Sequence, residues 1–243
     1  MFISDQNNFI FFHVPKTAGS SIHIFLKDYF QLEGIDRKDP IPPIHHMKAK
    51  HFLKYNNNHK SYYKFAFVRN PFDRLVSAFF DFTQIRPKYL SRFEKFKSFI
   101  GSDRLKYSYF ELEDRDFINY EDFCTKGLIL HNKKNSLKIK KNETFKEFCL
   151  KIVTSGWIKD THFLPQSEFL CDDSNNLLID FVGKYENLKE DLKFISRKIS
   201  INIDIDHHRK TDHLNYRKYY DKETRIIIEN YFKTDLNLFN YSF

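Results

Sequence analysis

Residues 9 to 21 read Phe-Ile-Phe-Phe-His-Val-Pro-Lys-Thr-Ala-Gly-Ser-Ser: a short apolar strand that runs into a loop holding one lysine, one glycine and three hydroxyls. Beyond it, Ile22, Phe25, Leu26, Tyr29 and Phe30 recur at the spacing of one helix face. A strand, a tight polar turn and a helix N-terminus make an anion site. The first backbone N–H groups of a helix lack internal partners, and its positive end faces the same spot. The order differs from that of an ATP-type phosphate loop, where glycines precede the lysine. Here Lys16 comes first and Gly19 follows, with Thr17, Ala18, Ser20 and Ser21 around them. The plainer alternative is a strand–helix connection with a solvated lysine.

A second segment, residues 62 to 82, reads YYKFAFVRNPFDRLVSAFFDF. Tyr63 to Val68 is apolar apart from Lys64, as a strand covered on both faces requires. Pro71 suits the first turn of a helix, where its missing N–H has no partner to lose. Phe72, Leu75, Val76, Phe79 and Phe80 form that helix's stripe, which leaves Ser77 on the polar side. Arg69 stands at the strand's carboxyl end, and a guanidinium there can grip a phosphate by a forked, charge-assisted contact that Ser77 would share. The alternative pairs Arg69 with Asp73 or Asp81 and leaves Ser77 solvated.

Between and after these segments the signals thin out. Pro40, Pro42 and Pro43 mark a loop before a helix near residues 46–55. Residues 84 to 160 read as mainly helical, with Thr144 and Glu147 spaced as a capping box. The five lysines of 131–142 mark an exposed loop whose default reading is solvation. A strand at Leu177–Val182, a helix at Leu188–Ile199 and a last helix from about Lys222 to Phe232 complete the order. With no Pro/Gly/Ser-rich linker, 243 residues read as one domain, 1–243, with 84–160 an insertion.

Lys and Arg exceed Asp and Glu by 40 to 32, a net charge of +8 that suits an anionic partner. Three cysteines, Cys124, Cys149 and Cys171, are more than twenty residues apart, which argues against a disulfide framework and a zinc site alike. The histidines show no metal-ligand pattern. No run of eighteen apolar residues and no signal peptide is visible, so the expectation is a soluble, cytoplasmic chain without an integral membrane segment. Oligomeric state is not legible.

Taken together, HVPKTAGSS and VRNPFDRLVS, in that order and about fifty residues apart, resemble the sulfotransferases that use 3′-phosphoadenosine-5′-phosphosulfate (PAPS). The resemblance is strongest to the carbohydrate branch that includes the uronyl 2-O-sulfotransferases. Phe181–Leu188 and the run from Arg209 to Phe243 fit the same pattern. The resemblance implies a parallel sheet flanked by helices, with the first loop on the 5′-phosphosulfate and Arg69 and Ser77 on the 3′-phosphate. Arg209, Lys210 and Thr211 would belong to a basic loop over the nucleotide. His162 and Gln166 would serve acceptor binding or loop support, and residues 84–160 acceptor choice. The acceptor would be a hydroxyl on a carbohydrate or glycoconjugate.

Sulfuryl transfer needs a cation where charge grows on the leaving oxygen, and Lys16 is the candidate. It also needs a base able to take a hydroxyl proton near neutral pH. His45 and His46 lie between the two phosphate segments, and the resemblance implies a base just before a helix. Spacing favours His46, with His45 the alternative; His13 reads as loop support. Lysine, arginine and the helix end balance the donor's charge, so no metal is called for. Two rivals are a nucleotide-dependent kinase and a basic nucleic-acid-binding protein. The kinase lacks the glycine-first order and an evident magnesium carboxylate. The nucleic-acid binder lacks any recognised nucleic-acid motif.

Overall fold

Alternation of two along the strands decides which side chains face which layer. In the computed structural model, which describes residues 1–30, 46–81, 83, 144–154, 161–205 and 213–243, the strands are β1 (Phe2–Ser4), β2 (Phe9–Phe12), β3 (Tyr63–Val68) and β4 (Phe181–Lys184). They form one sheet in the order β1-β2-β3-β4. β2, β3 and β4 pair in parallel, with Phe11 beside Phe65 and Val68 beside Lys184. The expected parallel sheet flanked by helices is present, with one antiparallel strand added at its edge. β1 lies antiparallel to β2, because only four residues separate the two and so short a connection can only double back.

The described residues fall into two compact units. The first comprises 1–30, 46–69 and 166–205 and carries the whole sheet. Helices α1 (Gly19–Tyr29) and α6 (Leu188–Ile199) cover one face, where Phe9, Phe11, Phe65 and Phe67 meet Ile22, Leu26, Leu188, Leu192 and Ile195. From the other face Phe12 meets Phe52 of α2 (Ala49–Tyr55) edge to face. The short α5 (Ser167–Leu170) packs on α2. Gly183 stands beside Phe67 because a Cβ there would lie 2.4 Å from the ring.

The second unit, 70–81, 83, 144–154, 161–165 and 213–243, is helical: α3 (Pro71–Phe80), α4 (Phe145–Thr154), α7 (Lys222–Tyr231) and α8 (Lys233–Leu238). Its core joins Phe72, Leu75, Val76 and Phe79 to Phe148, Ile152, Phe163, Ile228 and Phe232. Ser77, expected to share a phosphate from the polar side of α3, is buried, as are residues on nearly every side of that helix, so the alternative of a solvated Ser77 is set aside. Arg74 is buried too, its guanidinium donating to the carbonyls of His162 and Leu164 and lying over the Phe232 ring. The Thr144–Glu147 capping box forms in both directions, at 2.8 and 3.2 Å. Asp221 caps α7 by accepting from the Thr224 N–H and hydroxyl, and Lys146 reaches it at 3.1 Å.

Helix Leu188–Ile199 falls where the periodicity puts it, and so does strand Tyr63–Val68. The strand expected at Leu177–Val182 starts later, at Phe181. Leu177 instead makes an isolated bridge with Cys171 across a turn that Asp172 organises. The helix near 46–55 begins at Ala49, and the last helix ends at Tyr231 before a further one, α8. The lysine-rich run 131–142 and most of 84–160 lie outside the described residues, as does Cys124. Among the described residues no helix is long and apolar enough to cross a membrane.

Two outcomes follow from this packing. Gly183→Ala overpacks the Phe67 contact and lowers stability by about 1–3 kcal/mol, read from urea unfolding, and adding Phe67→Leu recovers part of the loss. The Asp221 carboxyl is held down to about 2 by the Thr224 hydrogen bonds and then Lys146. A depressed carboxyl stabilises the fold above its unfolded value and loses that contribution as pH falls through its folded one. The stability advantage of the native chain over Asp221→Asn therefore shrinks between about pH 4 and about pH 2, measured by urea midpoints across that range.

Candidate active site

Parallel pairing brings the carboxyl ends of β2, β3 and β4 to one edge, the place where such sheets bind ligands. Beyond β2 come His13 to Lys16, beyond β3 comes Arg69, and beyond β4 comes Tyr185. Arg69 is buried, its guanidinium lies 4.2 Å from the centre of the Tyr185 ring, and its Nη1 donates to the Lys16 carbonyl at 3.4 Å. The two basic segments, 53 residues apart in sequence, meet here.

Lys16 and Ala18 both adopt positive φ, 68° and 66°, on either side of Thr17. Left-handed residues alternating with ordinary ones turn successive N–H groups toward one concavity, an anion-binding nest. The conformation costs about 1–2 kcal/mol at each non-glycine residue. The Thr17 hydroxyl donates to the Val14 carbonyl at 2.9 Å and pins the loop, so its hydrogen is committed there. α1 opens directly after Ala18 with no side-chain cap and no acid in its first turn. Ser20 is half-buried and Ser21 buried at that end. Gly19 is fixed by His13: a Cβ at position 19 would lie 1.8 Å from the imidazole.

His13 also joins this loop to the histidine ahead of α2. The His46 ring stands edge-on to the His13 ring at 4.6 Å, and His46 Nδ1 lies 3.0 Å from the His13 carbonyl. A carbonyl only accepts, so Nδ1 carries the proton and in the neutral ring Nε2 holds the lone pair. The tautomer of a neutral His46 is thereby fixed.

Gln166 lies in the same unit, fully buried. Its Oε1 accepts from the Arg69 N–H at 2.9 Å and its Nε2 donates to the Arg69 carbonyl at 2.8 Å. Ser77 and His162 belong to the second unit and are both buried; the His162 carbonyl accepts from Arg74. His45, Arg209, Lys210 and Thr211 lie outside the described residues. Among the described residues no group of three or more His, Cys, Asp or Glu could hold a metal, and Cys149 and Cys171 are buried. Sequence reasoning passed over Tyr185. The signal was present, since Tyr185 follows β4 as Arg69 follows β3.

A model of the sulfotransferase family matches residues 1–242. The chain is 28% identical over 233 residues to carbohydrate sulfotransferase 12 of Mus musculus, covering 83% of this chain and 48% of that one. It is 31% identical over 145 residues to carbohydrate sulfotransferase 11 of Rattus norvegicus, covering 58% and 34% respectively. An uncharacterised protein of Archaeoglobus fulgidus is 37% identical over 67 residues, 27% of this chain and half of that one. The chain thus spans about half or less of the length of the curated relatives it matches. No solved structure matches. With the family match running almost end to end over a sheet whose strand ends gather Lys16, Arg69 and His46, this chain belongs to the sulfotransferase family.

Proposed function

We propose that this chain transfers a sulfuryl group from PAPS to a hydroxyl of a carbohydrate. The observation that carries the reading is the meeting of Arg69 with the Lys16 loop at the end of a parallel sheet. The two relatives named as carbohydrate sulfotransferases supply the acceptor class. In this reading the nest at Lys16–Ala18 and the N-terminus of α1 hold the 5′-phosphate, and Arg69 holds the 3′-phosphate.

The acceptor oxygen attacks sulfur as the bond from sulfur to the 5′-phosphate oxygen breaks. The acceptor's proton passes to His46 Nε2, and the products are a sulfate ester and 3′-phosphoadenosine 5′-phosphate (PAP). Negative charge grows on the departing oxygen, where the Lys16 ammonium is most effective. Lys16, Arg69 and the helix end balance the donor's charge between them.

Calorimetry with PAP, ATP and adenosine 5′-phosphate tests the donor assignment; PAP binds most tightly, and equal affinity for all three would defeat it. Transfer from labelled PAPS to unsulfated glycans tests the roles. Lys16→Ala lowers turnover roughly 10²–10³-fold. His46→Ala lowers it roughly 10²–10⁴-fold while PAP affinity stays near the native value. Arg69→Ala acts the other way round, weakening PAP first.

A further inference from the structure

Two residues at the start of α5, Gln166 and Glu168, reach the two parts of the site and take no part in the proposed chemistry. Gln166 spans the Arg69 peptide groups with two hydrogen bonds, donating one and accepting one. Two residues on, Glu168 accepts from Lys48 Nζ at 2.9 Å. Lys48 is the N-cap residue of α2, two positions after His46, and its side chain is only 6% exposed. One short element therefore holds the arginine end and the histidine end at the same time.

Resting on the sulfotransferase reading, we propose that Gln166–Glu168 is a positioning brace, in which Gln166 sets Arg69 for the donor's 3′-phosphate and Glu168, through Lys48, sets His46 for proton transfer. The chemistry is selective at each point. The Arg69 backbone presents one donor and one acceptor in a water-free place. A primary amide answers both in a single orientation, and so does a neutral carboxylic acid. A carboxylate accepts twice and donates nothing, which leaves the Arg69 carbonyl facing a negative oxygen. Arg69 follows the last residue of β3, so any shift of its peptide moves the guanidinium against Tyr185 and the Lys16 carbonyl. On the other side, the buried Lys48 ammonium pairs with the Glu168 carboxylate. Loss of that pair loosens the stretch from His46 to α2 against the His13 carbonyl that fixes the His46 tautomer.

Gln166→Glu tests the first arm, because burial raises the pKa of the new carboxyl and makes its charge titratable near neutrality. PAP affinity relative to the native chain stands near parity at about pH 5, where the acid mimics the amide. It falls tenfold to a hundredfold by about pH 8, where a buried pairing is lost. Gln166→Met, of similar size and unable to hydrogen-bond, is weak at every pH, and urea midpoints for both variants report their folding. A ratio that stays flat with pH, or native affinity in Gln166→Met, overturns this arm.

Nitrogen NMR of the His46 imidazole tests the second. The native chain shows Nε2 bare, and Glu168→Gln shows a mixture of tautomers with PAP affinity within about threefold of native. Unchanged His46 signals in Glu168→Gln overturn that arm. The spectra need no nucleotide, so a native chain indifferent to PAP would overturn the donor reading and the Gln166 arm with it, while the Glu168 arm is still decided.

Discussion

Parallel pairing of β2, β3 and β4 is the constraint on which the site depends. Register fixes Phe12 beside Ala66 and Val68 beside Lys184, so the residues that follow each strand leave the sheet at one edge. Antiparallel pairing of β3 with either neighbour would send their continuations to opposite edges and separate Lys16, Arg69 and Tyr185. The apolar faces hold that register because a slip of one residue would turn Phe9, Phe11, Phe65 and Phe67 away from α1 and α6. Hydrophobic layering thus sets where the cations stand, although no cation takes part in it.

The loop after β2 is costly to form and is held from several directions. Two non-glycine residues adopt positive φ within three positions, an arrangement that persists only where its surroundings over-determine it. Those surroundings are visible. Thr17 ties back to Val14, the His13 ring fills the space beside Gly19, and Arg69 reaches the Lys16 carbonyl. A turn held from so many sides is ordered before any binding event, which removes an ordering cost.

Legibility in the sequence followed the range of the interactions. Local periodicity and capping gave the strand Tyr63–Val68, the helix Leu188–Ile199 and the Thr144–Glu147 box, since each depends on neighbours a few residues away. The lysine-first loop and Arg69 were legible because strand ends and helix starts leave local marks. The burial of Ser77 was not, because helical periodicity puts it on the polar side of α3 and carries no sign of what covers that side. The same holds for Gln166, whose partners lie 97 residues earlier on the Arg69 backbone. Backbone groups carry no residue-type signal, so no sequence pattern marks them as partners. The left-handed turns at Lys16 and Ala18 were hidden for a related reason, because neither residue type advertises positive φ as glycine would.

The choice of partner for His46 also has an electrostatic logic. A histidine base is often oriented by a carboxylate on its second nitrogen, which raises basicity but adds a negative charge. Here a main-chain carbonyl takes the Nδ1 proton. It fixes the tautomer with a dipole and adds no anion beside the loop after β2. That carbonyl belongs to the residue whose side chain packs on Gly19 at the start of α1. His46 and the turn at Lys16–Ala18 thus meet the same residue, His13, one through its carbonyl and ring and the other through its ring.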